Sequence, residues 1–409
     1  MLANAAAHLD HPVLAPLQID FAKPLPPDAL AILAVVANPE LQAARKREGV
    51  ASAELLAARL LPDPVLSFFH DRRLSGPDPF DALAGQVAYD LAALRDRRAV
   101  MAGARASRER LRRDIAWQEW QVAAQAKLLA ARISGLSRTV EIASAAKADQ
   151  DDILARVARA ADRGDISGAI LETRRLAAAL ATERLRQAER DLSAARLDLN
   201  RLLGLVPATR LAIAPGIVSN VLWNPDDLFQ HAKFDRLDLG ALEAGYASQE
   251  ANVHIAVLDQ FPRLNLTINR AQDTALNQTI GPAINFVVPL WNRNRGGLAV
   301  AQAPRDQLRT EYTAREFATR ADIAMLVDGL ALARRQRDET ERQIPPLQEL
   351  VAASDLAVRR GDLTAPSASA MHQSLFDKQI VVISLDQWIA EQTAALELSV
   401  GRPLASLVK

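Results

Sequence analysis

Histidine and carboxylate are the residues here with chemistry to offer, and their spacing organises little of it. His8 and His11 form an H-x-x-H pair that suits a divalent metal, but the Pro-rich segment around them supplies no third ligand. His70, His254 and His372 are far apart, with no acid or thiol partner at ligand spacing. With no cysteine in 409 residues, disulfides, thiolate metal sites, thiol nucleophiles and an acylated N-terminal cysteine are excluded. Neither a Gly-rich phosphate loop nor a nucleophile–base motif is present, so the chain reads as a non-enzyme with no cofactor and no metal. The carboxylates that recur do so in a turn. Arg163-Gly164-Asp165-Ile166-Ser167 returns as Arg360-Gly361-Asp362-Leu363-Thr364, with the glycines 197 positions apart. Each glycine can close a helix in the left-handed conformation, and Ser167 or Thr364 can cap the next. Asp165 and Asp362 complement the dipole of the helix that follows, and Glu172 lies almost two helical turns beyond Asp165.

The elements that hold these turns are long helices. From about Arg95 to Asp162 the helical period is unbroken, roughly 68 residues or ~100 Å. Leu129, Ile133, Leu136, Val140, Ala143, Lys147, Gln150, Leu154, Val157 and Ala161 step by four and three, a coiled-coil seam with polar interruptions at Lys147 and Gln150. Leu185, Ala188, Leu192, Ala195, Leu199 and Leu202 carry the spacing back to Gly204 and Pro207. In the second half one helix is predicted over 292–359, and Met371 to Ser399 return to Gly401 and Pro403. Pro304 is expected to kink that helix or delay its start.

Each long helix is preceded by a pair of strands. They are predicted at about 65–70 and 83–91, and at about 264–270 and 279–289. Leu264, Leu266 and Ile268 alternate with Asn265, Thr267 and Asn269, and Ile280, Ile284 and Phe286 alternate with Ala283 and Asn285. Ahead of each pair lies a helix. Asp28 is the expected cap of one over 29–36, and Asn38-Pro39-Glu40-Leu41 opens another that runs to about Leu61, before Pro62 and Pro64. Arg236-Leu237-Asp238-Leu239 opens the matching helix, ended by Pro262. The organisation is an irregular leader 1–27, a first repeat 28–204, a linker or equatorial region 205–234, a second repeat 235–404 and a tail 405–409. The fold class is mainly α with a small β part.

Isolated hairpins are barely stable in water. A closed barrel in lipid accounts for strands with branched apolar groups on one face and Asn/Thr on the other, because it turns the apolar face outward and leaves no edge. Four strands are fewer than the ~8 of the smallest barrels, so several copies must contribute. Asn265, Thr267, Asn269 and Asn285 are the candidate lumen wall. Trp117, Trp120 and Trp291 read as packing residues, Trp291 with a possible place at a membrane interface. Lys+Arg and Asp+Glu balance at 49 each, which gives no pull toward nucleic acid.

Asn38-Pro39-Glu40-Leu41, Gly164-Asp165-Ile166-Ser167 with Leu171-Glu172, Leu199 to Gly204, Arg236 to Leu239, Pro289-Leu290-Trp291-Asn292-Arg293 and Gly361 to Thr364 occur in an order that resembles the outer-membrane efflux protein family, the TolC-like subunits of tripartite pumps. The resemblance covers about residues 28–404. It implies a homotrimer with a twelve-stranded transmembrane barrel in outer-membrane lipid and an α-helical barrel crossing the periplasm. It also implies a periplasmic adaptor (membrane fusion) protein and an inner-membrane pump as partners. Such a protein is a passive exit duct for efflux or type I secretion, in the outer membrane of a Gram-negative bacterium. Gly164, Asp165, Ser167, Glu172, Gly361, Asp362 and Thr364 would form the periplasmic tip, as aperture or adaptor contact. Ser369 stands where the first repeat has Glu172, which weakens an acidic ring there. Residues 1–7 lack the basic and apolar regions of a signal peptide, so a truncated or processed start is expected. A soluble coiled-coil scaffold or adaptor is the alternative. The sparse Met and His disfavour a dedicated metal relay.

Overall fold

The computed structural model describes residues 2–72, 74–78, 80–216 and 221–407. Residues 217–220 of the expected linker and 408–409 of the expected tail lie outside them. The chain is mostly helical with one small antiparallel sheet. In order it runs α1 (Leu2–Ala7), α2 (Pro27–Ala37), α3 (Pro39–Arg59), β1 (Val65–Asp71), β2 (Ala82–Asp90), α4 (Leu91–Asp162) and α5 (Gly168–Leu202). Then come α6 (Pro225–Asp235), α7 (Leu237–Leu258), β3 (Leu264–Gln272), β4 (Gln278–Phe286), α8 (Arg295–Arg342), α9 (Ile344–Arg360) and α10 (Ala365–Val400). No described helix is long and apolar enough to cross a membrane.

These elements form two compact units. The first comprises Met1–Gln42, Ala116–Arg236 and Phe317–Lys409. One part of its core joins Leu30 and Leu33 of α2 to Leu129 and Ile133 of α4 and Leu192 and Leu199 of α5. Another joins Leu228 and Phe229 of α6 to Ile323 and Leu330 of α8 and Ile389 and Leu396 of α10. The four-and-three steps noted above supply the α4 and α5 side of the first of these, since such positions share one side of a helix. Where helices come closest, glycine replaces a side chain. A Cβ on Gly135 of α4 would lie 2.8 Å from the Cβ of Gln387 on α10, and one on Gly329 of α8 would lie 3.1 Å from the Trp388 ring.

Two junctions in this unit share one design. Asn38, just before α3, caps it by accepting from Leu41 N at 2.9 Å and donates to the Leu202 carbonyl that ends α5. Arg236, just before α7, donates to the Ser399 carbonyl near the end of α10 at 3.0 Å. Gly204 and Gly401 follow those helix ends with φ +62° and +88°, facing Pro39 and the Arg236 backbone.

Several expectations are corrected. The leader is not wholly irregular, since it contains α1. His11 is buried, its Nδ1 accepts from Val13 N and Leu14 N at 3.1 Å each, and its Nε2 therefore carries the proton toward the Ala116 carbonyl. His11 thus pins the leader through both ring nitrogens. Asp28 is not a cap, because Pro26 takes that place and α2 begins at Pro27. Asp28 instead lies 2.5 Å from Lys127 Nζ. The linker contains α6, whose cap Asn224 accepts from Asp226 N. The second long helix is two helices, because Pro345 and Pro346 lack amide protons and suit only the first turn of a new one. Pro304 does not delay α8, which begins at Arg295 and includes it.

The second unit comprises Ala43–Ile115 and Leu237–Glu316 and contains the sheet, in order β1-β2-β3-β4. β4 ends at Phe286, short of the predicted 289, because its partner Leu264 is the first residue of β3. Asp90 caps α4 by accepting from Ala92 N at 2.8 Å, and the Arg95 guanidinium joins Asp96 and Asp259.

Candidate functional site

Antiparallel partners share a face, so the register sorts every strand residue. One face carries Leu264 with Phe286; Tyr89, Leu266 and Ile284; Leu66, Val87, Ile268 and Pro282; and Phe68, Gly85, Arg270 and Ile280. A last row, His70, Leu83, Gln272 and Gln278, lies beside the hairpin loops and is largely polar. Apart from that row and Arg270, this face is apolar and open: Ile280 is 76% and Ile284 60% exposed.

The other face holds Asp90, Asn265 and Asn285; then Val65, Ala88, Thr267 and Ala283; then Ser67, Gln86, Asn269 and Gly281. All four predicted lumen residues therefore fall on one face. Asn265 sits opposite Asn285, and Asn285 Nδ2 donates to Thr267 Oγ1 at 3.3 Å. Thr267 is 4% exposed, so within one chain it contributes to the sheet rather than to an open wall. Ser67 and Gln86 belong with them and were left out of the sequence-based set, although Gln86 lay in the same period-two pattern. β1 breaks the alternation: Val65 and Phe69 are on the polar face.

The two turns belong to the first unit. At the end of α4, Gly164 has φ +81°, Gly164 N donates to Ala161 O and Asp165 N to Ala160 O, both at 2.9 Å. At the end of α9, Gly361 has φ +84°, and Asp362 N donates to Ala357 O at 2.9 Å. Both close the preceding helix with left-handed glycine. Ser167 and Thr364 occupy the N-cap positions with extended backbones, but neither side chain bonds to the backbone of the next helix. Thr364 Oγ1 meets Ser367 Oγ at 2.9 Å instead. The Asp165 carboxylate accepts from Arg163 Nε at 2.8 Å, and exposed Glu172 accepts from Arg175 at 2.7 Å. Both carboxylates are partly neutralised by an arginine close by in sequence, Asp165 within the turn and Glu172 on α5.

Sequence spacing missed a polar layer between α4, α9 and α10. His372 meets Asp149 and Asp355, so the expectation that it has no acid partner is wrong; its partners are distant in sequence. Beside it, Gln150 Nε2 donates to Ser369 Oγ at 2.9 Å, both residues buried. Gln150 is one of the seam's two polar interruptions, and its partner is the residue that replaces an acid. Among the described residues no group of three His, Asp, Glu or Cys could hold a metal ion.

This succession of helices and strands is the fold of the outer-membrane efflux channels, and the resemblance extends along nearly the whole chain. The Campylobacter jejuni CmeC outer membrane channel matches with a TM-score of 0.78, covering 92% of this chain and 85% of that one at 13% identity. The outer-membrane channel OprN matches at 0.77, covering 98% and 95% at 17% identity. In sequence, the chain is 24% identical over 391 residues to the cobalt-zinc-cadmium resistance protein CzcC of Cupriavidus metallidurans, across 93% of this chain and 91% of that protein. No family model matches the sequence.

Proposed function

We propose that this chain is one subunit of a passive outer-membrane exit duct, which takes substrates from an inner-membrane pump across the periplasm and outer membrane. The observation that carries this reading is the two-faced sheet. Its apolar face is open to the surroundings, its opposite face carries Asn265, Thr267, Asn269 and Asn285, and β1 and β4 are edge strands. In water such a surface and such edges promote aggregation. In a bilayer the same sheet is satisfied once neighbouring copies pair with both edges. Three copies supply twelve strands, within the range of closed transmembrane barrels. The polar row at the hairpin loops then meets the lipid headgroups. A soluble coiled-coil scaffold has no use for that face.

On this reading the turns at Gly164 to Ser167 and Gly361 to Thr364, with Glu172, form the periplasmic end that meets an adaptor protein. No bond-making chemistry is assigned to the duct. CzcC is a cobalt, zinc and cadmium resistance protein, so divalent transition-metal ions are the first cargo to test. With 4 Met and 6 His along the chain, metal selectivity would belong to the pump.

The test is extraction and conductance. The native protein should leave the outer membrane only in detergent, migrate as a trimer and open steady pores in planar bilayers. A water-soluble monomer that forms no pore would overturn the proposal.

A further inference from the structure

His372 on α10 is held from two sides. Its Nδ1 lies 2.7 Å from Asp149 Oδ1 on α4, and its Nε2 lies 3.0 Å from Asp355 Oδ1 on α9. A neutral imidazole has one N–H and one lone pair, so it can donate to only one of these carboxylates. Toward the other it presents a lone pair, which repels. Only the imidazolium donates to both.

No competing cation is at hand. Among the described residues, neither Asp149 nor Asp355 has a Lys or Arg within 4.0 Å. The other oxygen of Asp149 receives only a 3.4 Å contact from Gln150 Nε2. Nearby charges are engaged elsewhere: Lys147 of α4 with Asp151, and Asp377 of α10 with Arg184 of α5.

The two arms differ. Asp149 makes the shorter contact and its side chain is 17% exposed, whereas that of Asp355 is 44% exposed. On loss of the proton, Asp355 is the carboxylate that water can take over. The Gln150–Ser369 bond holds α4 to α10 at any pH; α9 packs along α10, and among the described residues its one side-chain hydrogen bond to another helix is the Asp355–His372 contact. This α9 is a separate 17-residue helix set off by Pro345 and Pro346, and Ser354 is its one buried residue.

We propose that His372 is a proton-operated clip that fastens α9 to α10 and α4 close to the Gly361 turn. It is closed by the imidazolium and released at Asp355 when the ring is neutral. Histidine is the side chain that changes charge between about pH 5 and 8. The clip is a property of these helices and stands whatever the chain conducts.

The absence of cysteine allows a single nitroxide to be placed at Arg360, exposed at the end of α9, in the otherwise unchanged full-length protein. Its mobility is read by electron paramagnetic resonance at about pH 5.5 and about pH 8.5, either side of the ordinary imidazole pKa. The label should be restrained in acid and freer in base. In His372→Gln and in Asp355→Asn the difference between the two pH values should be lost, with the label free at both. Asp355→Asn alters a half-exposed side chain and preserves the test if the histidine variant fails to assemble. Equal mobility at both pH values in the parent, or an undiminished pH response in the variants, would overturn the clip. Bilayer conductance of the same preparation tests the duct separately, so failure of either idea can be told from failure of the other.

Discussion

Gly361 and Gly401 have nearly the same backbone, φ +84° and +88°, yet substitution should not cost the same at each. A Cβ at Gly361 meets nothing within 4 Å, so Gly361→Ala should cost only the left-handed strain, about 1–2 kcal/mol. At Gly401 the same Cβ lies 3.0 Å from the backbone of Asp235 and Arg236, which cannot rotate away. Gly401→Ala should therefore lower the thermal midpoint clearly more than Gly361→Ala, as differential scanning fluorimetry in detergent can show. Lys127 offers a second contrast. Burial alone would depress its ammonium, but Glu397 at 2.8 Å and Asp28 outweigh it and raise the pKa. A raised lysine contributes stability fully below its unfolded value of about 10.4 and loses it as pH rises through the folded one. Lys127→Met leaves the partly buried Glu397 without its cation, with the Leu404 amide as its remaining donor, and should cost at most the ~3–5 kcal/mol of a broken buried pair. The penalty should be constant from about pH 6 to about pH 9, read as the shift of the denaturation midpoint.

At the scale of elements, the sheet is decided by alternation. Ile284 and Asn285 are adjacent in β4 but lie on opposite faces. Ile284→Arg puts a charge on the apolar face, where a lipid-facing site costs about 2–4 kcal/mol, and should abolish heat-labile trimers in outer-membrane fractions. Asn285→Arg should leave trimers intact and shift the bilayer reversal potential away from cations, since the added charge would line the pore. The reverse result would mean that the faces are assigned the wrong way round. The helices follow a related logic. Seam positions such as Leu192 and Leu199 are buried because four-and-three spacing puts them on one side of α5.

For the whole molecule, the four-stranded sheet with β1 and β4 at its edges carries the proposal, because on that reading one chain cannot complete the barrel alone. Assembly and conduction should therefore be lost together. Trimers separated from monomers by size should carry steady current without nucleotide, while the monomer fraction carries none. Current from monomers would show that one chain can close a pore by itself.

The sequence by itself determined the local elements: strands where branched residues alternate with Asn and Thr, left-handed closures where glycine ends a helix, and the seams of the long helices. Such features depend on neighbours a few positions away, which periodicity and capping chemistry record. Even so, Asn224-Pro225-Asp226-Asp227 spells the start of α6 inside the expected linker, and Pro345-Pro346 starts a new helix where the period alone continues the old one. Only the tertiary structure decided that His11 anchors the leader, that Asp28 serves Lys127, and that His372 lies between Asp149 and Asp355. Asp149 and His372 are 223 positions apart, and no local spacing carries information about which helix faces meet. Ion pairs between distant helices are set by packing, after the hydrophobic seams have fixed which sides come together.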